Sequence, residues 1–187
     1  MQRRAYAARA TFAVVMAVKT RFFVATFVIT LLLDQITKIW IVQNFFYGEI
    51  FVVLPGFFDL THVRNPGGAF SFLADAPVLG RKIFFIGTSA VAIVLLIVLF
   101  RRLEPDARLA SLALGAILGG AVGNLTDRLV YGEVIDFLDV HLTRGYTWPT
   151  FNVADSAIVV GIGILMVEVF FGEEEPSPDS ASSETAD

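Results

Sequence analysis

The chain has 187 residues, 56% hydrophobic and 17% charged, with a mean hydropathy of +0.70. A soluble domain carries nearer a quarter charged residues, so this composition excludes an ordinary soluble enzyme and indicates a small integral membrane protein with little room for a second domain. The formal net charge of −4 says nothing about nucleic acid, because much of the acidity sits in the C-terminal tail; no nucleic-acid partner is expected, and the absence of cysteine excludes disulfides, a thiol nucleophile and a thiolate metal site.

Residues 1–21 hold five basic residues and no acidic one. The apolar run Ala10–Val18 is followed by Lys19 and Arg21 instead of small cleavage-site residues. It therefore reads as a basic cytoplasmic segment, a helix on the membrane surface, and not as a cleaved signal. A first span covers 22–42, near the bilayer's requirement of about 20 residues. Asp34 and Lys38 interrupt it one helical turn apart, where they can neutralise each other. Two readings stay open for them: a self-contained pair near the span's outer end, or a pair supporting a polar site.

Residues 44–64 change character, with β-prone runs at Glu49–Val53 and Phe57–Arg64 on either side of Pro55-Gly56, a dipeptide suited to a type II turn. A small extramembrane hairpin or sheet is expected there, its Phe51, Phe57 and Phe58 suited to the bilayer interface. The following NPGGAFSFL, Asn65–Leu73, has consecutive glycines fit for a tight turn or close approach to a ligand. A second span covers 83–100 and ends at Arg101-Arg102, and a third covers 109–127. The arginine-rich connection between them and the basic N-terminus share the cytoplasmic side by the positive-inside rule. Gly115, Gly119 and Gly123 recur every four residues on the third span, which lets a neighbouring helix approach closely. Residues 129–150 are expected as an external loop, 151–171 as a fourth span, and the acidic, Pro/Ser-rich 172–187 as a disordered cytoplasmic tail. The expected fold class is an all-α polytopic membrane protein of four transmembrane helices with a small extramembrane β hairpin or sheet.

The polar residues gather at the outer ends of the third and fourth spans, where charges are costly unless paired or functional. Asn124, Asp127 and Arg128 share one face of the third helix, and an Asp–Arg pair there is commonly structural, with Arg128 balancing a carboxylate. Asp136 lies between Val134-Ile135 and Phe137-Leu138, an apolar setting that disfavours ionisation. In FNVADS, Phe151–Ser156, Asn152 is a helix N-cap and Asp155 the third helical position, as in a capping box. Two aspartates in different electrostatic settings are the elements of an aspartic peptidase, in which the pair shares a proton and activates water without a covalent intermediate. His62 and His141 lack metalloprotease spacing, and no metal or cofactor is expected.

Four blocks, DQITK (Asp34–Lys38), NPGGAFSFL, GGAVGNLTDRLVYGEVIDF (Gly119–Phe137) and FNVADS, resemble in order and spacing those of the lipoprotein signal peptidases, or signal peptidase II, over about residues 22–171. The resemblance implies an inner-membrane aspartic endopeptidase, its termini cytoplasmic and its site external, that removes prolipoprotein signal peptides before the diacylglyceryl-modified cysteine. Carried over by motif, Asp136 and Asp155 form the catalytic pair. Asp34, Lys38, Asn65, Gly67, Gly120, Asn124, Arg128, Asn152 and Ala154 match positions that support the site or contact substrate. Asp127 is the alternative catalytic acid. Gly68 stands where the family usually has alanine, and Pro66 where it commonly has another residue. The implied partners are lipid-modified prolipoproteins and membrane lipid, and the implied state is a monomer. A small transporter or channel is the rival class, but it predicts charges spread through the bilayer's depth. A serine–lysine peptidase would pair Lys38 with Ser71 or Ser156, neither of which has a nucleophile context.

Overall fold

The computed structural model describes residues 2–67, 73, 77–143 and 146–171, with 2–17, 143, 146 and 147 described by backbone alone. In chain order the elements are α1 (Gln2–Asn44), β1 (Ile50–Leu54), β2 (Phe58–Asn65), α2 (Val78–Arg102), α3 (Arg108–Val130), β3 (Val134–Thr143), β4 (Tyr146–Thr147) and α4 (Val153–Phe171). Gly68, Ser71 and the acidic tail 172–187 lie outside the described residues.

Among the described residues, four stretches are long and apolar enough to cross a membrane: Val18–Asn44, Val78–Arg102, Arg108–Val130 and Val153–Phe171. The basic N-terminal segment continues into the first span as one helix. No glycine or proline occurs before Gly48, so nothing in the sequence breaks it.

The glycines make α3 the central helix. Gly115 and Gly119 face α1, where a Cβ at Gly119 would meet Thr30 Cβ at 2.7 Å and Phe27 O at 2.8 Å. Gly123 abuts the Asp34 carboxylate. A second face meets α4: a Cβ at Gly120 would lie 2.5 Å from Ala154 O, and one at Gly161 of α4 would lie 3.0 Å from Ala113 O. Without side chains at these points the backbones touch, and dispersion replaces the hydrophobic drive that lipid removes. By contrast α2 has no fully buried residue. It contributes Ile93, Leu96 and Phe100 to a cluster around Phe23, Leu114 and Leu118, with Phe23 and Phe100 stacked at 4.0 Å. At that end of the bundle the buried Lys19 donates to Leu103 O at 2.6 Å, satisfying a carbonyl at the end of α2.

At the other end sits an antiparallel sheet of order β1-β2-β3-β4. The β1–β2 turn has Phe57 N donating to Leu54 O at 3.0 Å and Gly56 at φ +74°, as a type II turn with Pro55 leading requires. The expectation of a loop over 129–150 needs correction: β3 runs through it and pairs with β2. Its partner strand lies beyond two whole helices in sequence, and carboxylates fall on both its faces, so neither a local turn nor clean alternation marks it. Ile135 and Phe137 pack with Ile41 at the end of α1, which docks the sheet on the bundle.

Candidate active site

The site forms where the C-termini of α1 and α3, the N-terminus of α4 and strand β3 converge. Its base is an ionic network inside the helix bundle. Lys38 is 1% exposed, and its ammonium donates to Asp127 Oδ2 at 2.8 Å, Asn124 Oδ1 at 2.8 Å and Asp34 Oδ2 at 2.9 Å. All three of its protons are thereby used. Asp34 Oδ1 accepts from Ala154 N at 2.9 Å, tying α1 to the first turn of α4. Asp127 Oδ2 also accepts from Ile135 N at 3.1 Å, tying α3 to β3. Removing one partner of such a buried group costs about 3–5 kcal/mol. The sequence reading of Asp127 is thus corrected in its partner: its ion pair is with Lys38 of α1, not with the adjacent Arg128.

Above this base Asn124 and Asn152 hold the two remaining aspartates. Asn152 is fully buried and caps α4 as the sequence spacing predicts, with Asp155 N donating to its Oδ1 at 2.9 Å. Asp155 Oδ2 accepts in return from Asn152 N at 3.3 Å, closing a capping box. The same Asn152 donates from Nδ2 to Asp136 Oδ1 at 2.7 Å. Asn152 therefore bonds both carboxylates, that of Asp136 through its side-chain amide and that of Asp155 through its backbone N–H. Asp155 Oδ1 accepts from Asn124 Nδ2 at 2.8 Å, and Asp136 Oδ2 accepts from Asn65 Nδ2 at 3.0 Å. Asn65 stands opposite Val134 in the register, so Asp136 is its diagonal neighbour on one sheet face. Its Oδ1 accepts from Gly67 N at 3.0 Å, which orients the amide towards the aspartate.

Residue Phe151 sets the distance between the halves of the site. Its carbonyl accepts from Phe137 N and Leu138 N at 3.0 and 2.8 Å, and its N–H donates to Leu138 O at 3.1 Å. The start of α4 is thus stitched to β3 beside Asp136. Arg128 donates to Asn124 O at 3.3 Å, rests over the Phe85 ring at 5.0 Å and senses the charges of Asp155, Asp136 and Asp127. Gly120 gives Ala154 its room, as described above.

Burial first, and then the neighbouring Asp155 carboxylate, push the Asp136 carboxyl up to about 7. A group of that kind carries a proton near neutrality and can exchange it. Every residue assigned from the motifs is in or against this cluster, and the alternative acid Asp127 lies in the ionic base. Two contributors were not foreseen. Gln35 donates to Asp34 Oδ2 at 3.1 Å and Asp127 Oδ1 at 3.3 Å; its place inside DQITK, between the two charged residues, was the only available signal. The spacing of Gly123 indicates packing alone, yet it also makes room for the Asp34 carboxylate. Ser156 Oγ donates to Asn152 O at 2.9 Å, a local helix contact.

Comparison with known proteins gives a consistent result. Residues 26–171 match the family described as signal peptidase (SPase) II. The lipoprotein signal peptidase of Syntrophus aciditrophicus is 43% identical over 155 residues, 83% of this chain and 96% of the relative. That of Geobacter sulfurreducens is 47% identical over 158 residues, 84% of this chain and 97% of the relative. A solved structure described as a bacterial membrane enzyme superposes with a TM-score of 0.72 at 27% identity, covering 88% of this chain and 93% of that one.

Proposed function

The chain belongs to the signal peptidase II family, and we propose that within its prolipoprotein-processing reaction Asp136 and Asp155 are the catalytic pair. The observation that carries this reading is the shared Asn152, which bonds both carboxylates and leaves Asp136 and Asp155 with no cation in direct contact among the described residues. Asp127, the other candidate, is consumed by Lys38, Gln35 and Ile135 N.

In this mechanism Asp136 holds the proton and Asp155, at the positive end of α4 and near Arg128, holds the charge. Asp155 takes a proton from water as its oxygen attacks the scissile carbonyl carbon, while Asp136 gives its proton to the carbonyl oxygen. The tetrahedral intermediate then collapses: Asp155 returns its proton to the leaving amine, and Asp136 recovers one from the hydroxyl. No group is gained or lost beyond the water. Asn124, Asn152 and Asn65 fix the carboxylates, and Lys38, Asp34 and Asp127 anchor the helices that carry them.

The working unit is residues 22–171, a monomer in the inner membrane with both termini cytoplasmic and the sheet end external. Arg101, Arg102 and Arg108 at the opposite end support that orientation. The substrate is the signal peptide of a lipid-modified prolipoprotein, cut before the diacylglyceryl cysteine. Membranes containing the protein should process the lipid-modified precursor and leave the unmodified one intact; equal processing of both would reject the lipid-dependent specificity.

A further inference from the structure

Strands β2 and β3 assemble a second group of ionisable side chains that the hydrolysis does not use. Asp59 stands opposite Asp139 in the register, and His141, two residues along β3, shares the face of Asp139 by strand alternation. Asp136, three residues before Asp139, faces the other way. The irregularity between Leu60 and Val63 adds a residue to β2. It lets Asp59 serve one face while Asn65 serves the other. One donor atom each from Asp59, Asp139 and His141 lie within 4.8 Å of one another. His141 Nε2 is 2.9 Å from Asp59 Oδ2 and 3.8 Å from Asp139 Oδ2.

An imidazole–carboxylate hydrogen bond accounts for only part of this. Asp59 is 9% exposed, and its Oδ1 is buried with no hydrogen-bond donor among the described residues. A buried carboxylate oxygen left so is costly, and a second carboxylate directly across the strands adds repulsion. A divalent cation offsets the repulsion between the carboxylates, and one held by both oxygens of Asp59 also gives Oδ1 a partner. Ligand atoms about 2.0–2.2 Å from such an ion are separated from one another by roughly 2.9–3.5 Å, whether the site is octahedral or tetrahedral. Of the three separations, His141 Nε2 to Asp59 at 2.9 Å already fits, His141 Nε2 to Asp139 at 3.8 Å closes with an inward turn of Asp139, and that turn also draws in the third, which is within 4.8 Å.

We propose that Asp59, Asp139 and His141 form a binding site for one divalent transition-metal ion of the zinc type, completed by water. The imidazole ligand favours zinc over calcium or magnesium, which prefer all-oxygen sites. The ion takes no part in peptide hydrolysis. It fastens β2 to β3, the two strands whose opposite face holds Asn65 and Asp136, and so stiffens the mount of one proposed catalytic carboxylate.

The test uses the full-length protein, purified in detergent, stripped with a chelator and titrated with Zn²⁺ by calorimetry, with Tm followed in parallel. One Zn²⁺ binds per chain and raises Tm, and excess Ca²⁺ or Mg²⁺ does not displace it. His141→Gln and Asp59→Asn each lose stoichiometric Zn²⁺ binding and the Tm rise, whereas Asp136→Asn binds Zn²⁺ like the wild type. His141→Gln still processes prolipoprotein, which shows it folded; Asp139→Asn serves if Asp59→Asn does not fold. No stoichiometric binding by the wild type, or wild-type affinity in the folded cluster variants, overturns the proposal.

Discussion

Asn152 is the residue through which the two halves of the site communicate, since it caps α4 around Asp155 and donates to Asp136. Its spacing to Asp155 was readable because a capping box is a local pattern of three residues. The partner of Asp127 was not readable, because Lys38 arrives from another helix and no local spacing encodes that contact. The protonation of Asp136 leads to a prediction. Its carboxyl is raised to about 7, so it is protonated below that value and ionised above it. The rate of processing should therefore fall as pH rises through about 7, by about tenfold per unit, when both carboxylates become charged. The sign for stability is the same: the folded state binds this proton more tightly than the unfolded chain does, so the contribution declines as pH climbs from the usual carboxylate range through about 7. A pH–rate profile of the purified protein checks this, and a rate that keeps rising above 8 (on the order of one unit past that midpoint) would contradict it.

Helix α3 has two glycine faces, and each sets a different part of the site. The stripe Gly115–Gly119–Gly123 admits α1 and its Asp34, whereas Gly120 admits the first turn of α4, where Asp155 sits. The i, i+4 stripe is legible as a packing feature; the motif marks Gly120 only as a position that supports the site or contacts substrate, and the second face it forms is not legible from the sequence. A Cβ at Gly120 would first meet the backbone oxygen of Ala154 at 2.5 Å, with Ile158 Cγ1 next at 3.0 Å, so Gly120→Ala must push α4 away from Asn124. It should lower stability by about 1–3 kcal/mol and depress turnover with it. Gly163→Ala, with nothing within 4 Å of the added atom, should leave both unchanged. Melting in detergent and processing rates for the two variants separate this account from one in which any helix glycine is interchangeable. The four spans were legible because apolar length alone marks them. Strand β3 was not, because its pairing with β2 closes over α2 and α3, and its Asp136, Asp139 and His141 mask the alternation that would have announced it.

As a whole the molecule is a bundle that carries an ionic network at one end and arginines at the other. The exposed Phe46, Tyr47, Phe51 and Phe57 surround the sheet end, and aromatic residues of this kind suit a bilayer interface. The absence of cysteine makes the orientation easy to test. Tyr47→Cys should react with a membrane-impermeant maleimide in intact cells, and Glu104→Cys only after permeabilisation; the reverse pattern would invert the proposed topology. Catalysis itself is assigned to the Asp136–Asp155 pair. Processing of a lipid-modified prolipoprotein by Asp136→Asn, Asp155→Asn and wild-type protein at matched levels in membranes tests it most directly. Both variants should reach the membrane at wild-type abundance and lose about 10²–10⁴-fold or more in rate, whereas Asp136→Asn cleaving at the wild-type rate would contradict the assignment.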